Sequence, residues 1–382
     1  MYYQLLPALA GKERCWLSPS ETSLSSGPKH DLVELLKELS ELHGPSGREE
    51  PVGRHVATLL APYCDSVRHD ALGNCIAFKQ GAGSGPRPRI MLAAHMDEIG
   101  LIITRVEEGG FLRFSGVGTV DPRALVAQEV VVHADPPLPG YIGVKPPHLL
   151  TAAEREKALP IEEMFIDVGL PEDEVRRRVP PGTFVTLRRE LTPLVGTRVA
   201  GKSLDNRASV AALVETMRLL GRLHHVADVY AVATVQEEVG LRGAMVSTYG
   251  VMPDMAVAID VGFAPQPGVP EDKVFAMGKG PAVAFGANIH PRLFSMIVDA
   301  AKENNIPHQI EPMPASSGTD AWAMQVTASG VPTALVSIPL RYMHTSVEVV
   351  DTEDIRQTAR LLAQLVASLT AADREGWRYD LT

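Results

Sequence analysis

The chain has 382 residues, 45% hydrophobic and 21% charged, which is enough apolar material for a large core and rules out global disorder. Its 46 Asp and Glu against 36 Lys and Arg give a formal charge of −10, a poor match to a nucleic-acid partner held by phosphate neutralisation. No apolar run approaches the ~20 residues that span a bilayer, so neither nucleic acid nor membrane is expected as a partner.

Residues 1–30 carry a Ser/Thr/Gly/Pro-rich stretch and read as a poorly ordered leader without a secretory pattern. Three cysteines (Cys15, Cys64 and Cys75) are too few for a disulfide framework, so a reducing, cytoplasmic setting is the default expectation. Structure is expected from Asp31, an N-cap before Leu32, Leu35, Leu36 and Leu39 at helical spacing. A second helix follows from about Arg48 to Tyr63, and Cys75 to Lys79 reads as a strand. Arg89 to His95 is continuously apolar, the pattern of a strand buried on both faces. Between about residues 100 and 190 the texture changes to short β-type pieces (Leu101 to Val106, Glu129 to Ala134, Phe184 to Leu187) with frequent Gly and Pro. A small, mostly antiparallel domain is expected there.

After Gly201 an α/β rhythm returns. Helices at about Ala208 to Leu223, Leu241 to Thr248, Leu293 to Asn304 and Thr352 to Leu369 alternate with strands at Asp228 to Val235, Met255 to Asp260, Gln309 and Pro332 to Ile338. Such alternation predicts an open sheet with helices on both faces. The expected division is a catalytic α/β/α domain from 31–100 and 190–382, with a β-rich domain inserted at 101–189.

Ligand sites in open α/β sheets gather at the carboxyl ends of the strands. The first apolar strand ends in His95-Met96-Asp97, the next runs into Glu237-Glu238, another ends at Asp260, and His344 follows the last. Asp205 precedes a helix. Singly, each has an ordinary explanation: a rim histidine, a helix N-cap for Asp205, a solvated strand end for the paired glutamates, a turn former for Asp260. Jointly they bring imidazoles and carboxylates to one sheet edge, a set that suits two divalent cations sharing a carboxylate. On extended backbone, residues i and i+2 point the same way, so Asp97 is expected to accept the free ring N–H of a metal-bound His95. His224-His225 and the Arg176 to Arg178 and Arg188-Arg189 clusters read as surface features or subunit contacts. No Walker, dinucleotide, H-E-x-x-H or Gly-x-Ser-x-Gly motif is present.

With these residues in hand, the sequence resembles the glutamyl-aminopeptidase-like dinuclear metallopeptidases, the tetrahedral or TET aminopeptidases (family forty-two of the metallopeptidases). The matching stretches are Ala93 to Thr104, Gly201 to Ser209, Thr234 to Ala244, Ala258 to Gly262, Ser317 to Gln325 and Ile338 to Asp351. The resemblance implies an α/β/α zinc-aminopeptidase sandwich with an inserted, barrel-like β-rich domain used in oligomerisation. It implies one metal on His95, Asp205 and Asp260 and a second on Asp205, Glu238 and His344, with Zn or Co expected and Mn possible. Glu237 would be the general base toward a water between the ions, and Asp97 would orient His95. Short peptides would be the substrates, and dimers would assemble into a tetrahedral dodecamer. The rival within this fold is a co-catalytic metal deacylase of the aminoacylase type. A cellulase is disfavoured, because glycoside hydrolysis uses two carboxyls flanking the sugar bond. The chain departs from the family at Ser346, where Pro is common, and at Gly262 to Pro265. Phe263 there points to a neutral or apolar first residue.

Overall fold

The run at 89–95 is a strand whose residues Ile90 to Ala93 are fully buried, at the heart of an eleven-stranded mixed sheet. The structure, a computed structural model, describes residues 31–377 apart from 84, 153–155 and 157, and the expected leader at 1–30 lies outside the described residues. Across the sheet the strands run Ser66–His69, Cys75–Lys79, Asp228–Thr234, Arg89–His95, Met255–Phe263, Thr333–Arg341, Glu348–Asp351, Arg198–Gly201 and Thr192–Pro193. Ala282–Gly286 and Gln309–Met313 extend it from Thr333–Arg341. The four strands from Asp228–Thr234 to Thr333–Arg341 are mutually parallel, so their carboxyl ends share one edge.

Helices cover the sheet. Asp31 caps Leu32–Glu41, its side chain accepting Val33 N at 3.2 Å. That helix packs on Leu204–Leu220, which packs in turn on Thr352–Ser368, while Arg242–Val251 and Asp320–Gln325 pair with each other. Among the described residues, no helix is long and apolar enough to cross a membrane.

Two sequence expectations change. Met255–Phe263 does not stop at Asp260: Val261 and Phe263 pair with Ile338 and Leu340, so strand formers carry both strands further and Asp260 lies within the ladder, opposite Ser337. His225 is buried rather than on the surface, its Nδ1–H donating to the Ala227 carbonyl at 2.9 Å where the turn folds against Ala82. The Arg176 to Arg178 cluster sits on the short helix Glu172–Arg178, with Arg176 paired to Glu172 at 2.7 Å.

The β-rich stretch closes into a six-stranded barrel, in the order Gly100–Val106, Leu112–Val117, Phe165–Asp167, Leu138–Gly143, Glu129–Val132, Phe184–Leu187 and back to the first. Its pairings are antiparallel, and Leu101, Phe114, Val130, Ile166 and Val185 fill a core separate from that of the sheet.

The chain enters the barrel after Glu98 and leaves it before Lys202, and these two meet in a buried ion pair of 2.7 Å. Glu98 also accepts Gly44 N at 2.8 Å and the Ser203 hydroxyl. Burial opposes ionisation of Glu98, but Lys202 and Arg207 outweigh it and hold its pKa down at about 2. A carboxyl depressed below its ordinary value of 4.5 stabilises the fold above that pH and loses this contribution as the pH falls toward 2. Lys202→Met should therefore cost about 3–5 kcal/mol at neutral pH, the cost of stranding a buried charge. It should also flatten the acid-side loss of stability. Urea unfolding from neutral to acid pH tests this, and equal midpoints in both proteins would refute the pair's role.

Candidate active site

The residues that end the parallel strands arrive together. His95 closes its strand with only 2% of its surface exposed. The chain beyond the neighbouring strand turns over it, with Gln236 in left-handed conformation at φ 55°. Asp97 holds that turn: its Oδ1 accepts Glu237 N at 3.0 Å, and its Oδ2 accepts Glu238 N at 3.2 Å and the Ser46 hydroxyl at 2.6 Å. Oδ1 keeps a second lone pair, and His95 Nδ1 lies 3.5 Å from it. Asp97 thus faces the His95 ring and also clamps the backbone that carries both glutamates.

Asp205 is no helix cap. It has non-helical backbone (φ −80°, ψ 100°), is joined to Asn206 by a cis peptide bond, and its N–H donates to Glu348 Oε2 at 3.0 Å. The other oxygen of Glu348 accepts His344 N at 2.8 Å, where His344 has a left-handed φ of 61°. One buried carboxyl thus fixes the backbone of two of the singled-out residues.

The side chains converge on Asp205. His95 Nε2 lies 3.2 Å from Asp205 Oδ1 and 3.7 Å from Asp260 Oδ1. On the other side, His344 Nε2 lies 3.4 Å from both Asp205 Oδ2 and Glu238 Oε1. Ligand atoms about 2.0–2.2 Å from a tetrahedral cation stand roughly 3.3–3.6 Å apart, so these separations fit coordination. The ligand-type atoms of His95, Glu237 and Asp260 lie within 4.8 Å of one another, as do those of His95, Asp205 and Glu238. These residues could hold a metal ion.

Charge points the same way. Burial is the main force raising Glu237, to about 10, reinforced by Asp260, Asp320 and Glu238 against His95. Burial likewise raises Glu238 and Asp260, and raises Asp320 to about 7. Burial works against a charged His344, but Asp205 and Glu238 prevail and lift it to about 11. Burial also works against a charged His95, and there Glu237, Asp205, Asp260 and Asp97 together prevail. Carboxylates outnumber imidazoles in a nearly dry setting, and cationic charge is what would balance them.

The cluster forms one end of a cleft of about 470 Å³, whose walls include Phe263, Phe275, Met313, Leu335 and Glu311. Two contributors, Arg207 and Glu348, were not singled out in the sequence, and neither was the role of a third, Ser346. Arg207 is fully buried and donates from Nε to the Met96 carbonyl at 2.7 Å, bracing the link between His95 and Asp97. Glu348 lies in a recognisable block, but its clamp joins chain segments 143 residues apart and has no local signature. Ser346, at the departure from Pro, donates to Gln128 of the barrel at 3.0 Å, tethering the His344 loop to it.

Parallel-sheet edge, converging histidines and carboxylates and inserted barrel together define a hydrolase of the α/β/α aminopeptidase type. The family model described as M42 glutamyl aminopeptidase matches residues 73–361. The chain belongs to this M42 family and is a hydrolase acting on peptide bonds. It is 39% identical over 347 residues to the lysyl aminopeptidase of Pyrococcus furiosus, covering 89% of this chain and 98% of that one. Aminopeptidase APDkam598 of the archaeon Desulfurococcus kamchatkensis superposes with a TM-score of 0.85 at 37% identity, over 92% of this chain and 98% of that one. The TET1 peptidase of Pyrococcus horikoshii, whose structure is described as assembling into a tetrahedron or a large octahedral shell, gives 0.78 at 33% identity, over 89% and 100%.

Proposed function

We propose that the chain is a two-metal aminopeptidase that removes N-terminal residues from short peptides. The observation that carries this reading is Asp205, whose two oxygens face different histidines and so fit a carboxylate shared by two cations. His95, Asp205 and Asp260 would hold one ion and Asp205, Glu238 and His344 the other, Zn or Co being preferred and Mn admissible for this donor set. Such ions, when bound, would acidify a water and polarise the scissile carbonyl. Glu237 takes the proton from the attacking water and passes it to the leaving amine. Asp97 and Glu348 keep the glutamate turn and the Asp205 and His344 backbones in place during that transfer.

Residues 31–100 and 190–382 would be the catalytic domain, and 101–189 the surface through which copies associate. The likeness to shell-forming TET1 supports a homo-oligomer, with a tetrahedral dodecamer as the expected form. Cytoplasmic residence is supported by the free thiols Cys64 and Cys75.

The test is to strip the protein with chelator and assay aminoacyl-p-nitroanilides with Zn, Co or Mn restored. Return of activity with about two ions per chain is expected. Hydrolysis of N-acyl amino acids without aminopeptidase activity would shift the reading to the aminoacylase-type deacylase.

A further inference from the structure

The cleft holds a carboxylate that the hydrolytic chemistry does not use. Asp260 stands opposite Ser337, Ser337 opposite Ala282, and Ala284 opposite Glu311 on the strand Gln309–Met313. Alternate residues share a face, so Asp260, Ser337, the two alanines and Glu311 line one side of the sheet. The alanines are small, and Glu311 reaches past them toward the site. There Ser337, buried to 1%, donates its hydroxyl to Glu311 Oε2 at 2.6 Å.

This tether fixes a carboxylate in the cleft wall beside Phe263, Phe275, Met313 and Leu335. Burial, then the charge of Asp260, push its pKa up, against the Ser337 hydrogen bond. Lys273 also lines the cleft, but it is exposed, and no ion pair joins it to Glu311 among the described residues. A carboxylate in a half-buried, apolar-walled slot is complementary to a side chain with a long apolar stem and a cationic head.

We propose that Glu311 selects peptides whose first residue is lysine or arginine, accepting a charge-assisted hydrogen bond from the side-chain head while Phe263, Phe275 and Met313 cover its stem. The assignment rests on the aminopeptidase reading. It replaces the expectation of a neutral or apolar first residue drawn from Phe263: the aromatic wall then serves the stem of a basic side chain.

The test compares the metal-loaded protein with Glu311→Gln on lysyl-, arginyl-, leucyl- and glutamyl-p-nitroanilide. The two basic substrates should show the highest kcat/KM, and Glu311→Gln should lower the lysyl-to-leucyl ratio about 10- to 100-fold. Ser337→Ala, which releases the carboxylate from its tether, should lower the ratio in the same direction. Calorimetry with lysyl-alanine and leucyl-alanine on a Glu237→Gln background reads the preference without turnover, and lysyl-alanine should bind more tightly. A leucyl or glutamyl substrate cleaved fastest, or a ratio unmoved by Glu311→Gln, overturns the role of Glu311 and leaves the aminopeptidase standing. Failure to cleave any of the four overturns both.

Discussion

Glu237→Gln should lower kcat about 10²- to 10⁴-fold, the range lost with a positioned general base, while metal content stays the same. Glu237 is 9% exposed, lines the cleft, and has its backbone pinned by Asp97. Its Oε2 lies 4.0 Å from His95 Nε2, at the edge of the proposed metal site. Burial pushes its pKa up to about 10, and cationic charge at the neighbouring oxygens would bring it back to the ionised form a base requires. Glutamine fills the same space and cannot take a proton. Steady-state kinetics with elemental analysis on the same samples checks this, and a variant keeping more than a tenth of the wild-type kcat would assign the base elsewhere.

Asp205→Asn should act earlier, on the occupancy of the site. Each of its oxygens faces a different histidine, so a neutral amide, whose nitrogen cannot ligate, breaks the carboxylate shared by the two proposed ions. Bound metal should fall below two ions per chain after dialysis, and activity should drop by at least the ~10²–10³ that loss of one electrostatic stabiliser costs. The backbone here is held by Glu348 through the peptide N–H, which the substitution leaves intact, so circular dichroism should be unchanged. Retention of two tightly held ions would exclude a bridging role.

The placement of His95, Glu237, Glu238, Asp260 and His344 was legible because each polar residue interrupts or follows an apolar strand, and parallel strands deliver such residues to one edge. The long helices were legible for the same local reason: Leu32, Leu35, Leu36 and Leu39 repeat at the helical period and are buried. What stayed hidden depends on distant partners. Arg198–Gly201 and Glu348–Asp351 are short strands held by pairing with each other and with their other neighbours, and neither has a pattern of its own. Glu311, in Gln309–Met313, has no local signal of its own, and only register carries it across two alanines to Ser337. The adjacency of His95 and Asp97 invited a direct hydrogen bond. The structure sets Asp97 against the His95 ring and adds contacts to the glutamate turn and Ser46, which spacing along one strand could not reveal.

The ion pair at the neck of the barrel bears on how such a chain can change over time. Glu98 and Lys202 are 104 residues apart in sequence and 2.7 Å apart in space. Seen from the sheet, everything between them is a loop whose ends are already joined. The entropy of closing a loop grows only logarithmically with its length, so doubling the insert would add only about 0.6 kcal/mol. The order of the central strands is thereby insulated from what is mounted on them. The insert can lengthen, shorten or be exchanged for another module while His95 and Asp205 keep their places in the sheet below.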